Sequence, residues 1–554
     1  TRDSFSYIIV TFVLLILRTL KLDNTAENKE IVNQYRQLLR VSKWSREKGD
    51  ITIIRKAFDL AMESHKDMRR KSGEPYIFHP IAVARIAAEE IGLGTTSIVC
   101  ALLHDVVEDT DIKLEDIKLE FGDKVANIID GLTKISGVFD TNSPQAENFR
   151  KMLLTMADDV RVILIKLCDR LHNMRTLEHM SDKGQLKIAS ETSFIYAPLA
   201  HRLGLYTIKS ELEDLSLKYT QPALYQELKT KLNATKEQRS RFIRSFIKPI
   251  KSELDELDII YEIKGRPKSI YSIFNKMTNK QLEFEDVYDL FAIRIIIDSD
   301  PEDEKMDCWN VYSIVTSIFK PNPERMRDWI SIPKTNGYES LHATVMGPRG
   351  QWVEVQIRTT RMDAIAEKGY AAHWKYKDNT SNQDAANSLD SWIKQIREVL
   401  DDHDSNALEF LDKFKMSLYA EEVFAFTPRG MIKKLPKGST ALDFAFDIHT
   451  EIGAKCLGAK VNGKLVPLSY VIQNGDQIEI LTSAKQKPNK DWLSFARTTK
   501  ARTKIKQSLK DEKRVIASLG KEALSRKMRN ANFDYTTENL NKLVIYYGVE
   551  DELE

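Results

Sequence analysis

The six residues His104-Asp105-Val106-Val107-Glu108-Asp109 place an imidazole and three carboxylates directly behind the apolar run Ile98-Val99-Cys100-Ala101-Leu102-Leu103. A continuous helix over 95–108 would bring Glu108 and Asp109 round to the face of His104 and Asp105 one turn later. Ionised groups at the edge of a core are costly unless they are paired or hold a metal. The competing reading is a solvated helix face, where charged residues usually lie. Two other segments offer the same side-chain types. His79 precedes Pro80, which suits the first position of a helix and would put His79 at a helix mouth. Asp169 sits in Lys166-Leu167-Cys168-Asp169-Arg170-Leu171-His172-Asn173-Met174-Arg175-Thr176. One separate histidine, a His-Asp pair and a distant aspartate form a mixed nitrogen and oxygen set. Such a set suits manganese, iron or zinc, not a thiolate-bound metal. A divalent ion there would activate water for phosphate-ester hydrolysis.

A second group of residues suits the opposite chemistry. The chain has no GxxxxGK[ST] motif, so it does not handle phosphate in the P-loop manner. It has instead Lys264-Gly265-Arg266-Pro267-Lys268-Ser269-Ile270-Tyr271-Ser272-Ile273-Phe274-Asn275-Lys276. Cations around a glycine suit a polyphosphate; the plainer alternative is a solvated basic helix start. Asp289 precedes a buried strand, where it could reach a nucleotide-held metal. In Val353-Glu354-Val355-Gln356-Ile357-Arg358, strand alternation puts Glu354, Gln356 and Arg358 on one face. A carboxylate there can take a proton from a hydroxyl. Lys334-Thr335-Asn336-Gly337-Tyr338-Glu339-Ser340-Leu341-His342 supplies a turn, a cation and a ring able to stack on a base; Tyr338 as plain core is the alternative.

The elements that must position these residues are legible in outline. A chain of 554 residues exceeds one hydrophobic core and implies about three to five domains. The net charge of +2 gives no global field for nucleic acid, so any basic surface is local. The four scattered cysteines, Cys100, Cys168, Cys308 and Cys456, form no CxxC pair. They fit a reducing, cytoplasmic setting and argue against a disulfide framework. Residues 7–17 are almost wholly apolar but too short to span a bilayer. They read as an extension outside the fold, with a weak membrane anchor as the minor alternative. From 29 to about 230 the apolar period is helical throughout, including 146–156. After 250, β-branched runs at 259–263, 292–297, 341–346 and 352–357 alternate with helical stretches, which marks an α/β domain. Residues 378–387 read as a polar linker and 388–418 as helical. Short strands follow, with turns at Pro428-Arg429-Gly430, Asn462-Gly463 and Asn474-Gly475-Asp476. The remainder is basic and helical.

The first set, with Arg70-Lys71-Ser72-Gly73 and the Asp169–Thr176 segment, resembles the HD phosphohydrolase superfamily, and within it the Rel/SpoT homologues that handle ppGpp and pppGpp. The resemblance implies manganese on His79, His104, Asp105 and Asp169. It also implies that Glu108 and Asp109 activate water, and that Arg70, Lys71, Asn173 and Thr176 hold the guanine nucleotide. Residues 235–380 resemble that family's nucleotidyltransferase-like synthetase domain, which moves pyrophosphate from ATP to the 3′-hydroxyl of GDP or GTP. On this match Gly265, Arg266, Lys268, Ser272 and Lys276 line the ATP side. Asp289 and Glu354 carry magnesium, and Glu354 activates the hydroxyl. Tyr338 stacks on guanine, with Lys334, Asn336, His342 and Gln356 around the acceptor. The Arg-x-Lys-Asp of bifunctional members stands here as Arg325-Met326-Arg327-Asp328. It keeps their charge, with arginine where they carry lysine; synthetase-only members carry an acidic version.

Val423-Phe424-Ala425-Phe426-Thr427-Pro428-Arg429-Gly430 and Leu435-Pro436-Lys437-Gly438-Ser439-Thr440-Ala441-Leu442-Asp443-Phe444-Ala445 resemble a β-grasp TGS domain. By the match, His449 meets the CCA end of uncharged tRNA. The basic tract Lys485 to Lys506 suits ribosomal RNA. The expected layout is a 1–28 extension, a 29–205 all-α HD hydrolase domain, connecting helices at 206–234, an α/β synthetase domain at 235–380, linker helices at 381–420, TGS at 421–484 and the start of a helical regulatory domain at 485–554. Full-length relatives continue further, so the chain reads as part of a longer protein. The implied protein is a bifunctional alarmone synthetase and hydrolase of the stringent response, with ATP, GDP or GTP, (p)ppGpp, ribosome and tRNA as partners and no stable membrane association. A hydrolase with an inactive synthetase site, or a non-enzymatic tRNA- or ribosome-binding factor, are the alternatives.

Overall fold

The computed structural model describes residues 26–43, 46–47, 49–136, 159–257, 259–287, 290–334, 337–369 and 422–531, with 536 and 546. The chain divides into two compact units, residues 1–400 and 401–554. The apolar residues 7–17, the segment 146–156 and the linker and helical stretches at 378–418 lie outside the described residues.

The first unit opens with helices whose apolar residues recur every three or four positions. α1 (Ala26–Val41) buries Ile31, Val32, Tyr35 and Leu38, and α2 (Asp50–Ser64) buries Ile54, Ala57, Phe58 and Ala61. α3 (Phe78–Arg85) runs into a π-helical turn at Ile86–Ile91. α4 (Thr95–Leu103) is buried from Ser97 to Leu103 and forms the centre of the helical domain. α5 (Val106–Asp109), α6 (Leu114–Phe121) and α7 (Asp123–Ser136) follow. α8 (Val160–Arg175) starts at Asp159, whose carboxylate accepts from the Arg161 N–H. α9 (Asp182–Glu191), a second π turn and α10 (Ala197–Arg202) complete the domain. Before residue 259, extended pairing among the described residues is limited to the bridge between Arg69 and Pro75.

Two local expectations are corrected. The helix over 95–108 is interrupted: α4 ends at Leu103, and His104 and Asp105 form a turn before α5. The cause is visible in the His104 ring, whose Nδ1 lies 2.9 Å from the Ala101 carbonyl. That carbonyl is the one a continued helix would offer to Asp105, so the ring competes with the backbone. Pro80 is the third residue of α3, not the first. It is tolerated there because N–H groups of a first turn lack intrahelical partners.

α11 (Tyr206–Thr220), α12 (Pro222–Ala234) and α13 (Lys236–Leu254) lead into a five-stranded sheet. Its strands are β1 (Ile260–Pro267), β2 (Phe291–Asp298), β3 (Arg327–Asp328), β4 (Leu341–Met346) and β5 (Trp352–Thr359), in the order β1-β2-β5-β4-β3. Only β2 and β5 run parallel. One face carries Ile293, Ile295, Ile297, Val353, Val355, Ile357, Leu341, Ala343 and Val345. It packs on Phe246, Ile250 and Leu254 of α13 and on Val311 and Val315 of α15 (Glu304–Ile318). Period-two alternation sends the polar residues of the same strands to the other face. α14 (Ile270–Lys280) follows β1, and α16 (Thr360–Lys368) follows β5.

In the second unit, β6 (Glu422–Phe426) and β7 (Ile432–Pro436) form a hairpin. α17 (Ala441–Ile448) and α18 (Thr450–Ala454) come next, then the sheet of β8 (Cys456–Val461), β9 (Lys464–Val466) and β10 (Ile478–Thr482). Thr440 and Asp443 make a reciprocal capping box at α17. The Asp443 carboxylate also accepts from the backbone N–H groups of Arg497 and Thr498. This ties the small domain to α19 (Trp492–Phe495) and to the start of α20 (Thr499–Asn530). All four cysteines are buried free thiols. Among the described residues no helix is long and apolar enough to cross a membrane.

Candidate active sites

The structure brings the first set together. His79 on α3, His104 and Asp105 in the turn after α4, and Asp169 on α8 come from three separated segments. Ligand atoms of His79, His104 and Asp105 all lie within 4.8 Å of one another. His79 Nε2 is 3.6 Å from Asp105 Oδ2 and 3.4 Å from Asp169 Oδ1. His104 Nε2 is 2.9 Å from Asp105 Oδ2, yet it is buried with no hydrogen-bond partner. In the neutral ring, with Nδ1 donating to the Ala101 carbonyl, Nε2 would carry a lone pair. A lone pair there, beside a carboxylate oxygen whose hydrogen-bond donor is the Tyr76 hydroxyl, fits a cation between the two side chains. Nitrogen and oxygen donors without sulfur suit a divalent ion of the borderline type.

Neighbours hold these ligands in place. The Tyr76 hydroxyl donates to Asp105 Oδ2 at 2.7 Å. Lys166 Nζ lies 2.9 Å from Asp169 Oδ2, and the Asn173 amide donates to Asp169 Oδ1. Burial works against charge in this pocket, but the ion pairs outweigh it for the carboxylates. Asp105 and Asp169 are held well below the usual carboxylate range by His104, His79 and Lys166. Burial lowers His79. For His104 burial is overcome by Asp105 and Asp169, which push it up to about 8. His172 is driven down to about 3 by burial, His79 and Arg70. Arg70 lies in a tight turn closed by the Gly73 N–H on the Arg70 carbonyl, with Gly73 at φ 89°. Its guanidinium donates to Asn173 Oδ1 at 2.9 Å and reaches Thr176 Oγ1 at 3.5 Å. Lys71 in the same turn is exposed, as are Glu108 and Asp109 on α5.

Tyr76, Lys166 and His172 were not singled out in the sequence. Lys166 and His172 lie three residues either side of Asp169, the spacing that keeps them on its helix face. That was the available signal.

The second set converges on the polar face of the sheet. Lys268 Nζ pairs with Glu354 Oε2 at 3.2 Å, and the Gln356 amide donates to Glu354 Oε1 at 2.9 Å. His342 Nδ1 lies 3.5 Å from that same oxygen, and its Nε2 meets the Tyr338 hydroxyl at 2.7 Å. Burial raises Glu354, but Lys268 and His342 more than offset it and lower the carboxyl; burial lowers His342 to about 4. Lys334 Nζ sits 5.3 Å from the centre of the Tyr338 ring. Register places Arg327 opposite His342, and Arg325 and Arg327 are exposed. Ser272 is in the first turn of α14, its N–H bonded to the Ser269 hydroxyl. Arg266 and Lys276 are half-buried on β1 and α14. Gly265 faces the other way: a Cβ there would stand 3.1 Å from Ile243 of α13, so the glycine permits close packing. Asp289 and Asn336 lie outside the described residues.

An unforeseen cluster completes this face. Arg294 and Arg358, 6% and 1% exposed, pair with Asp363 and Glu367 of α16 at 2.5 to 3.2 Å. The signal was Arg294 itself, a charge inside the otherwise apolar run 291–297.

α11 touches both pockets. On the side of the first pocket, Glu211 meets Arg175, two residues past Asn173, at 2.6 Å. On the side of the second, Asp214 accepts from the N–H groups of Ile270 and Tyr271 at the start of α14. Thr207 donates to Glu367 at 2.6 Å, and the Tyr206 and Tyr338 rings meet edge to face at 5.6 Å. In the second unit, His449 is exposed and accepts the Glu451 N–H at the start of α18.

Family models match in the same order: an HD domain over 57–206, a region found in RelA / SpoT proteins over 265–381 and a TGS domain over 423–482. A GTP pyrophosphokinase of Myxococcus xanthus is 43% identical over 516 residues, covering 91% of this chain and 67% of the relative. A guanosine-3′,5′-bis(diphosphate) 3′-pyrophosphohydrolase of Aquifex aeolicus is 43% identical over 504 residues, 90% of this chain and 71% of its own length. The bifunctional (p)ppGpp synthase/hydrolase SpoT of Escherichia coli K12 is 42% identical over 480 residues, 86% and 67% of the two chains. With all three domains in register and two thirds or more of these relatives covered, the chain belongs to the RelA/SpoT family.

Proposed function

We propose that this chain both makes and removes (p)ppGpp. It transfers pyrophosphate from ATP to the 3′-hydroxyl of GDP or GTP, and it hydrolyses the 3′-diphosphate back to GDP or GTP and pyrophosphate. The reading rests above all on the convergence of His79, His104 and Asp105 within 4.8 Å, with Asp169 3.4 Å from His79. It is supported by relatives named for each activity and for both.

In the hydrolase pocket, His79, His104, Asp105 and Asp169 would hold the metal, manganese on the family reading, and such an ion would supply activated water at neutral pH. Glu108 and Asp109 stand next to the ligand turn, exposed and placed to act as proton acceptors. Arg70, Lys71, Asn173 and Thr176 bind the guanine nucleotide, and Asn173 links that duty to Asp169 through its amide. In the synthetase pocket Arg266, Lys268, Ser272 and Lys276 bind the ATP phosphates. Lys268 now neutralises Glu354. When phosphate draws Lys268 away, Glu354 is left ionised beside Gln356 and free to take the 3′-hydroxyl proton. The hydroxyl oxygen then bonds to the β-phosphorus and AMP leaves. Charge neutralisation and alignment carry such a transfer. Asp289 and Glu354 are the residues for magnesium. Tyr338, Lys334, Asn336, His342, Arg325 and Arg327 surround the acceptor.

The two reactions oppose each other and would consume ATP if both ran. α11, bonded to both pockets, is the element through which one site lowers the other. The exposed His449 and the basic surface from Lys485 onward suit tRNA and ribosomal RNA. Free buried thiols fit a reducing cytoplasm.

The test is one assay: the protein with ATP and GDP, with and without manganese, beside His104→Gln and Glu354→Gln. Hydrolysis should vanish in the first variant and synthesis in the second, each leaving the other reaction intact. A protein that neither forms nor cleaves a 3′-pyrophosphate would end the proposal.

A further inference from the structure

A histidine that binds a metal through Nε2 carries its hydrogen on Nδ1, and that hydrogen normally goes to a carboxylate or a carbonyl. His104 follows the pattern, with Nδ1 on the Ala101 carbonyl. His79 does not. Its Nε2 faces Asp105 and Asp169, and its Nδ1 meets another imidazole, Nδ1 of His172, at 2.8 Å. The rings are 4.9 Å apart between centres, tilted by 41°. His172 lies three residues after Asp169, so one helix face delivers both a ligand and the group behind a second ligand. His172 also lines a cavity of about 130 Å³ with Arg175, Glu89 and Glu90. That volume holds water, so the ring can keep a hydrogen on Nε2 and a lone pair on Nδ1.

We propose that His172 is a positioning residue for His79: it accepts the Nδ1–H of His79 and so fixes the tautomer and rotation in which His79 offers Nε2 to the metal. The reason for an imidazole is charge. Asp105 and Asp169 already bring two negative charges, and a carboxylate behind His79 would add a third. A neutral ring orients the ligand without it. The inference rests on the metal reading of this pocket.

The test compares His172→Asn with His172→Leu. The two side chains have nearly the same shape, but only Asn places an acceptor oxygen near the position of Nδ1. Manganese is titrated into the metal-free protein and the free ion is counted by electron paramagnetic resonance. His172→Leu should weaken binding about 10- to 100-fold, and His172→Asn should restore most of it. Equal weakening in both variants means packing alone and overturns the proposal, as does unchanged binding in His172→Leu. Parent protein that takes up no manganese would instead overturn the metal reading. A second measurement needs no variant: in zinc-loaded, ¹⁵N-histidine-labelled parent protein, a scalar coupling across the N–H···N bond should link the two Nδ1 atoms. Its absence with both rings resolved counts against the bond.

Discussion

Gly369 ends α16 at φ 57° and ψ −145°, a region that side chains other than glycine avoid. A Cβ at that point would lie 2.2 Å from the Leu203 carbonyl oxygen and 2.9 Å from the Gly204 carbonyl carbon. Ordinary contact begins near 3.4 Å, so Gly369→Ala demands a backbone shift of about 1 Å. Holding the docked position would cost about 1–3 kcal/mol in backbone strain and about 1–3 kcal/mol in overpacking. Letting the end of α16 lift from the α10–α11 junction loses chiefly the Thr207–Glu367 hydrogen bond. A bond to a charged group is worth about 1.5–3 kcal/mol. Arg294 and Arg358 belong to the same sheet domain as α16 and keep Glu367 in either case. Lifting is therefore the cheaper response over most of the range. The variant should stay folded and lose the seating of the end of α16 on the α10–α11 junction, while the Asp214 bonds to α14 remain. Hydrogen exchange should speed up about 10-fold or more at the amides around 203–207 and at 369, while the α4 and β5 cores stay protected. If α11 carries the antagonism, synthesis and hydrolysis should also become less dependent on each other's ligands. Unchanged exchange at these amides, with both rates still mutually dependent, would refute the steric reasoning and the role given to this junction.

Two further outcomes follow from the charges on the polar face of the sheet. Lys268→Met removes the cation nearest Glu354, so the Glu354 carboxyl should rise. The acidic limb of the synthetase pH profile then moves to higher pH, and rate is lost through weaker ATP binding; an unmoved limb would mean that Glu354 is not the titrating base. Glu367 is opposed by burial but lowered to about 2 by Thr207, Arg294, Arg266 and Arg358. From a usual value of 4.5 the difference corresponds to about 3 kcal/mol. Because the folded value is the lower one, this stability is present above about 4.5 and fades as pH falls towards 2. Glu367→Gln should lower the urea midpoint clearly at pH 7 and much less at pH 3; an equal deficit at both would assign the effect to shape.

The candidate ligands could be picked out by type, because imidazole and carboxylate behind an apolar run need a partner or an ion, and the structure brings His79, His104 and Asp105 together. The sheet was legible because β2 and β5 are dense in β-branched residues that alternate or run through a core. What stayed hidden depends on one side chain answering another from a distant segment. The break after Leu103 comes from a ring bonding its own backbone, which no apolar period records. His172 stood in plain sight beside Asp169, yet nothing in its spacing says that it turns towards His79, 93 residues earlier. Asp363 and Glu367 lie four apart on α16 like ordinary surface charges, and only the folded sheet sets Arg294 and Arg358 against them.

The stretch read as a mere connection between domains illustrates the same limit and carries the largest consequence. α11 offers Thr207, Glu211 and Asp214, three polar residues that look like an ordinary solvated face. Each instead ends on a group beside one of the candidate pockets: Glu367 beside the arginine pair, Arg175 two residues past Asn173, and the backbone start of α14. Since α11 is one rigid helix, a displacement that improves one of these bonds strains the others by a comparable distance. Packed interfaces respond to such strain by switching between arrangements and not by stretching. Ligand binding at either pocket can therefore bias the other without a contact between the two, provided it favours one seating of α11.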